Sequence, residues 1–253
     1  MAKTVIVGDV HGCLDELKLM VAKLKLTDAD RFICAGDLVD RGPDSAGVVR
    51  FMRENGFEAV AGNHDAKLVR YAGHVERKRS NPKYHFPMQF SQEREDAIAA
   101  MSPEDLVWLE SLPSYILIPE HNIIVVHAGV LVNDNVAKQS KEVLTMLRYV
   151  SKDAPHRMLA LLPGYERPEN SVYWTAVYRG HANVVFGHNV VDLQRPVAIR
   201  CATGAMAYGI DTGVCFGGNL TAMVIDNASG EHEYVQVKAN AQYSEYETVR
   251  SGI

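Results

Sequence analysis

The stretch TVIVGDVHGCLDELKLMVAKLKLTDADRFICAGD, residues 4–37, carries the repeat unit of an α/β fold. Its first four residues are all β-branched, and a short run of that kind closed by Gly and Asp reads as a strand. Leu14, Leu17, Met20, Val21 and Leu24 then recur at helical spacing on one face. RFICAGD is a second strand. A helix between two strands implies parallel pairing through a right-handed crossover. The unit then repeats: residues 43–55, PDSAGVVRFMREN, read as a helix with Pro43 at its first position. Residues 57–65, FEAVAGNHD, read as a third strand and its loop.

Beyond this point the pattern changes. Residues 67–85 hold six Lys/Arg against the single Glu76, interrupted by SNPKYHFP. They read as a basic, partly irregular surface insertion that extends to about residue 100. Ser102 and Asp105 form a capping-box pattern, so a short helix begins there. SYILIP and NIIVVHAG follow as strands, then a helix near 141–149 and a Pro/Gly-rich loop at 163–168. The last third is strand-rich: NVVFGH, VAIR, AMAYGID, NLTAMVID and EYVQVK. No repeat or low-complexity linker divides the chain. The expectation is one domain over 1–253, of class α/β, with two packed mixed β-sheets flanked by helices.

Bulk composition narrows the function. Apolar residues make up 47% of the 253 and charged residues 23%, ample for a core. A net charge of -5 argues against bulk nucleic-acid binding. No stretch approaches the roughly 18 apolar residues of a membrane span, and the run at residues 5–7 is too short for a signal peptide. Cys13, Cys34, Cys201 and Cys215 form no CxxC pair, which suits reduced thiols in a cytoplasmic protein and excludes a thiolate zinc site.

Each strand end delivers a polar cluster: Asp9 and His11 in GDVHG; Asp37, Asp40 and Arg41 in GDLVDRG; Asn63, His64 and Asp65 in GNHD; His127 in VHAG; His188 in FGH. A single GDVHG is compatible with a turn, and a single VHAG with a core histidine. Five such clusters at the carboxyl ends of strands converge on one crevice. Oxygen and imidazole donors without thiolate suit borderline divalent ions such as Mn²⁺, Fe²⁺ or Zn²⁺. The donors exceed what one ion needs. Two ions roughly 3.5–4 Å apart, sharing a carboxylate, would use them all and clamp a phosphoryl group for in-line attack. Cys13 is a rival nucleophile in this reading, and Asp65 a local cap.

In this order GDVHG, GDLVDRG, GNHD, HAG and GH resemble the calcineurin-like metallophosphoesterases of the phosphoprotein phosphatase family. The resemblance spans residues 4–225 and implies a four-layer α/β/β/α sandwich with two divalent ions, Mn first, with Fe, Zn or Co as alternatives. It implies that Asp9 and His11 bind one ion, that Asp37 bridges, and that Asn63, His127 and His188 complete the second. His64 becomes the general acid, Asp40 its orienting carboxylate and Arg41 a phosphate ligand. GIDTGVCFGGNLTAMVID and YWTAVYRGHANVVFGHNV are similar to the branch holding symmetrical diadenosine tetraphosphatases. That branch implies a dinucleoside polyphosphate as partner, split into two ADP. Serine/threonine protein phosphatase activity and hydrolysis of RNA 5′ ends or caps are the alternatives. A non-catalytic phosphate-binding scaffold is a further one, against which the full ligand set argues. The family draws a second phosphate-binding arginine from between HAG and GH. None adjoins Trp174 in sequence, which leaves Arg179 and Arg167 as candidates. The basic stretch could face extra phosphates, with Tyr84, His85 and Phe86 stacking an adenine.

Overall fold

The computed structural model describes residues 2–161 and 166–246. Two five-stranded mixed sheets form its centre. The first has the order β13 (His232–Lys238), β12 (Asn219–Asp226), β1 (Lys3–Val7), β2 (Arg31–Cys34), β3 (Glu58–Ala59). The second runs β10 (Val197–Arg200), β11 (Met206–Gly209), β9 (Asn183–Phe186), β5 (Ile123–Val126), β4 (Tyr115–Ile118). Within the first sheet β1, β2 and β3 are parallel, as the β-α-β repeat demands, and β12 and β13 add antiparallel.

Strand alternation explains the layering. Ile6, Ile33, Val125, Val185 and Met223 meet in one apolar cluster between the sheets. Their neighbours Val5, Val7 and Cys34 join a second cluster with Leu17, Met20, Val48 and Met52 of the helices. Adjacent residues in a strand face opposite ways, so a β-branched run buried on both faces is what a strand inside a layered fold needs. Helices α1 (Leu14–Leu24) and α2 (Ser45–Glu54) cover the outer face of the first sheet. On the second sheet the cover is α6 (Lys141–Met146) with a small third sheet of β7 (Met158–Leu159), β6 (Tyr149–Ser151) and β8 (Ser171–Tyr173). Tyr149 therefore belongs to a strand and not to the preceding helix. Residues 163–165 of the expected loop at 163–168 lie outside the described residues.

Two expectations need correcting. Pro43 is not the first residue of α2; Asp44 is its N-cap and accepts from the Gly47 N–H at 2.7 Å, a role proline cannot take. The basic stretch is irregular over 81–91, but its start is helical. Residues Asn63–Ser80 form one helix, α3, begun by Asp65 accepting the Gly62 N–H at 2.9 Å. Its last turn carries Arg77, Lys78 and Arg79, where positive charge meets the negative end of the helix dipole. A second helix, α4 (Gln92–Ala100), returns towards the sheet edge, and α5 (Pro103–Glu110) follows with the Ser102/Asp105 capping box in place. Among the described residues no helix is long and apolar enough to cross a membrane.

Candidate metal centre

The loops after β1, β2, β5 and β9 and the first turn of α3 deliver their polar residues to one point. The backbone is bent hard to do so. His11, Asp37, Asp40, Arg41 and His188 all have positive φ, between 46° and 73°. Such non-glycine conformations cost of order 1–3 kcal/mol each and persist where surrounding contacts impose them. Here Asp37 O accepts both the Val10 and the His11 N–H groups, at 3.1 and 2.8 Å, locking the first two motifs together. Gly187 is required by proximity: a Cβ there would lie 1.9 Å from Asp9 Oδ1. Gly36, at φ +97°, would carry a Cβ 2.9 Å from His127 Nδ1.

All six expected ligands come together. His11 Nε2 lies 3.9 Å from Asp9 Oδ2 and 3.6 Å from Asp37 Oδ2. His127 Nε2 lies 3.3 Å from that same Asp37 oxygen and 3.0 Å from Asn63 Oδ1. Donor atoms of His11, Asp37 and His64 sit within 4.8 Å of one another, as do those of Asp37, His127 and His188. Asp37 is common to both groups. The outer hydrogen bonds fit a divalent ion. His11 Nδ1 donates to Val39 O and His127 Nδ1 to Ala35 O, each at 2.9 Å, which leaves each Nε2 lone pair facing the cluster. His188 differs: its Nε2 lone pair accepts from Arg148 Nε at 3.1 Å and is engaged by that arginine.

The electrostatics follow from burial. Burial pushes the His11 imidazole down to about 3, and burial with the Arg148 charge holds His188 well below the usual histidine range. Both are neutral donors, as ligation requires. Burial opposes the charge on Asp37, but the His127 and His64 rings beside it hold its carboxyl well below the ordinary range. Asp9 goes the other way, raised by burial and then by the neighbouring Asp211 and Asp37 carboxylates. Cations relieve such crowding, and divalent ones most.

Next to the ligands stands a proton-handling pair. His64 Nδ1 donates to Asp40 Oδ2 at 2.7 Å, and the His64 N–H is held by Asp37 Oδ1 at 2.8 Å. Arg41 reaches in, with Nη1 2.8 Å from His11 Nε2. Its guanidinium rests 5.0 Å from the Phe216 ring centre.

The structure directs the other arginine candidates elsewhere. Arg167 donates to Ser171 Oγ and O, and Arg179 to the Ala176 and Tyr178 carbonyls at 3.1 Å. Neither reaches a ligand through these bonds. Arg148, from the same segment, does reach a candidate ligand: it donates to the ring and the carbonyl of His188 and to Asn189. Pairing of β6 with β8 sets Arg148 beside Trp174, whose N–H donates to Arg148 O at 3.0 Å. The neighbour of Trp174 thus arrives across a strand pair and not along the chain.

Sequence reasoning also missed Asp211, buried against Asp9, and Arg94, whose Nη2 lies 2.5 Å from Asp40 Oδ2. Nothing in the local pattern of QEREDA marks Arg94 as bound to a residue 54 positions away. The rival nucleophile Cys13 is buried, its thiol pushed up by desolvation and donating to His11 O. Asp65 is the cap expected of it, accepting from the Leu38 and Gly62 N–H groups. Tyr84, His85 and Phe86 form no free stacking platform: Tyr84 bonds to His74 at 2.6 Å, and Phe86 packs edge-on against Tyr71.

Comparison with known proteins agrees with this geometry. The sequence profile described as calcineurin-like phosphoesterase matches residues 2–202. A Bacillus velezensis protein named bis(5'-nucleosyl)-tetraphosphatase PrpE [asymmetrical] is 29% identical, covering 94% of this chain and 93% of its own. A Pectobacterium carotovorum protein named bis(5'-nucleosyl)-tetraphosphatase, symmetrical, is 28% identical over 88% of this chain and 92% of its own. A crystal structure described as a candidate diadenosine tetraphosphatase superposes with a TM-score of 0.71 at 28% identity, covering 94% and 95% of the two chains. With the profile matched over most of its length, the chain belongs to the calcineurin-like phosphoesterases and is a metal-dependent hydrolase.

Proposed function

We propose that the protein hydrolyses dinucleoside tetraphosphates, cutting diadenosine tetraphosphate symmetrically into two ADP with Mn²⁺ in the site. The observation that carries the phosphohydrolase reading is Asp37, shared by two donor groups with the His64–Asp40 pair alongside. Relatives of both names, symmetrical and asymmetrical, align along nearly the whole chain, which supports the substrate class. Asp9, His11 and Asp37 would hold one ion, and Asp37, Asn63, His127 and His188 the other. When bound, such a pair supplies an activated water and Lewis-acid charge. Arg41 and Arg148 orient the phosphoryl group through their planar forks. Asp40 accepts from His64 Nδ1 and leaves Nε2 facing the departing oxygen; as the imidazolium, with Asp40 balancing its charge, the ring gives the Nε2 proton to that oxygen and remains Nδ1-protonated. A cytoplasmic setting fits four free, buried cysteines.

The test is product analysis of the Mn²⁺-loaded protein with diadenosine tetraphosphate, a phosphothreonine peptide and an aryl phosphate. ADP as the sole early nucleotide, formed well above the peptide rate, supports the proposal. ATP with AMP would move the cut to the asymmetrical bond. Fast peptide cleavage with the dinucleotide intact would replace the substrate class.

A further inference from the structure

Helix α3 begins in the metal centre and runs outward from it. His64 stands in its first turn, and Lys67, three residues on, shares that face. Lys67 is exposed and makes no hydrogen bond or ion pair among the described residues. Beside it a cleft of about 260 Å³ is lined by Lys67, Met88, Gln89, Phe90, Ser91 and Arg94. Arg94 ties this cleft to the reaction centre, because its Nη2 shares Asp40 Oδ2 with His64. Its Nε is buried without a hydrogen-bond partner among the described residues. Met88 and Phe90 also line an adjoining apolar cleft of about 460 Å³ with Tyr71 and Phe86. Phe90 is 66% exposed, an uncommon setting for a large aromatic ring.

The acids nearby are already engaged. Asp40 is bonded to His64 and Arg94, Glu93 accepts the Arg41 N–H at 2.8 Å, and Glu95 accepts from Tyr71 Oη at 3.1 Å. Lys67 thus lines the cleft without an acidic partner among the described residues, beside Arg94, which is paired with Asp40 through Nη2 while its Nε is unpartnered. Burial and the Arg94 charge hold Lys67 below the usual lysine range, in keeping with two cations sharing a small space.

We infer that this cleft receives the leaving half of the substrate, a nucleoside diphosphate, with its phosphates on Lys67 and Arg94 and its base against Phe90 and Met88. The inference rests on the proposed function and deepens it. His64 protonates the leaving oxygen, so groups placed beyond His64 touch the leaving group. Cations there suit a leaving group that is itself a phosphate, and they offer nothing to a serine or threonine alkoxide. An exposed ring beside paired cations is the pattern by which a base stacks while its backbone is neutralised. The two clefts together fall in the usual size range of small-molecule sites.

The test is calorimetric titration of the Mn²⁺-loaded protein with ADP and, separately, with inorganic phosphate, for wild type, Lys67→Ala and Phe90→Ala. Both side chains are exposed, so neither change endangers folding. Each variant is expected to bind ADP about five- to tenfold more weakly, in line with a lost charged hydrogen bond or a lost base stack. Phosphate, which reports the metal centre alone, should bind all three equally. The same variants should lose a similar factor in kcat/KM on diadenosine tetraphosphate and none on an aryl phosphate. ADP binding that is equal in all three proteins overturns the cleft. If the variants weaken ADP binding while wild type leaves the dinucleotide intact, the cleft stands and the substrate assignment falls.

Discussion

His64 and Arg148 show how single side chains divide the chemistry. Asp40 holds His64 at Nδ1, so removing the ring should remove the proton donor without touching a carboxylate ligand. His64→Ala is expected to keep its metal content and lose about 10²–10⁴-fold in kcat. Metal analysis beside steady-state rates checks both halves, and wild-type turnover would end the acid assignment. Arg148 is half-buried, and burial lowers its pKa, so in the proposed role its charge would be poorly shielded by water and would act strongly on a bound phosphoryl group. Arg148→Ala should cost about 10²-fold in kcat/KM, the scale of losing one donor to transition-state charge. Arg167→Ala and Arg179→Ala should stay within about twofold of wild type under the same assay. The reason Arg148 escapes a sequence reading is physical. It stands in the segment between HAG and GH, but its link to Trp174 is made by the β6–β8 pairing. The spacing of 26 residues along the chain carries no trace of it. The six candidate metal ligands are legible for the opposite reason: they follow five strands, each with a glycine one or two residues away.

Helices and strands differ in how openly they announce themselves. The β-α-β units show because each strand is buried on both faces and each helix on one, which writes two clear periods into the sequence. Helix α3 hides behind its charges, with only Asp65, Leu68, Tyr71 and Val75 buried along 18 residues. Helix α4 hides further, since Ile98 alone is buried, yet it supplies Glu93 to the Arg41 backbone and Arg94 to Asp40. Elements that exist to place polar groups lack the apolar stripe that pattern reading depends on. Helix α5 lies between these cases. Asp105 caps it, accepting from the Ser102 N–H at 2.9 Å, and also receives Arg53 of α2 at 2.9 Å. Burial works against its charge, but the Ser102 and Arg53 bonds keep its carboxyl below the ordinary 3.8. A carboxyl held low in the folded state adds stability that is present above its unfolded pKa and is lost as pH falls through the folded one. Asp105→Ala should therefore destabilise by about 1–2 kcal/mol at neutral pH, the scale of a lost capping interaction at a helix N-terminus. The gap in thermal midpoint between variant and wild type should narrow below about pH 4. A gap that widened on acidification would contradict the role given to the carboxylate.

The metal centre lies where the two large sheets meet, and it draws on both. Asp9, His11, Asp37 and Asn63 come from the loops of the first sheet, and His127 and His188 from the second. Asp9 accepting the His188 N–H, at 3.1 Å to each oxygen, and His127 against Asp37 and Asn63 join the two ligand groups directly. Ions held by both sets would cross-link the sandwich, so metal binding and folding are linked. Buried Asp9, Asp37, Asp65 and Asp211 add a second reason, since four carboxyl groups are packed into one end of the fold. At a free Mn²⁺ concentration 100 times its dissociation constant, a site bound only in the folded state adds about 2.7 kcal/mol. For a chain of this size that corresponds to a rise of roughly 5–10 °C in Tm over the chelator-treated protein. Gly187→Ala tests the same link from the backbone side, because the new methyl would collide with Asp9 Oδ1. That variant should bind less metal and show a smaller rise, while its chelated form melts closer to chelated wild type than the two metal-loaded proteins melt to each other. Equal melting of wild type with and without Mn²⁺ would mean that the ions do not join the sheets, and the ligand set drawn from both of them would have to be reassigned.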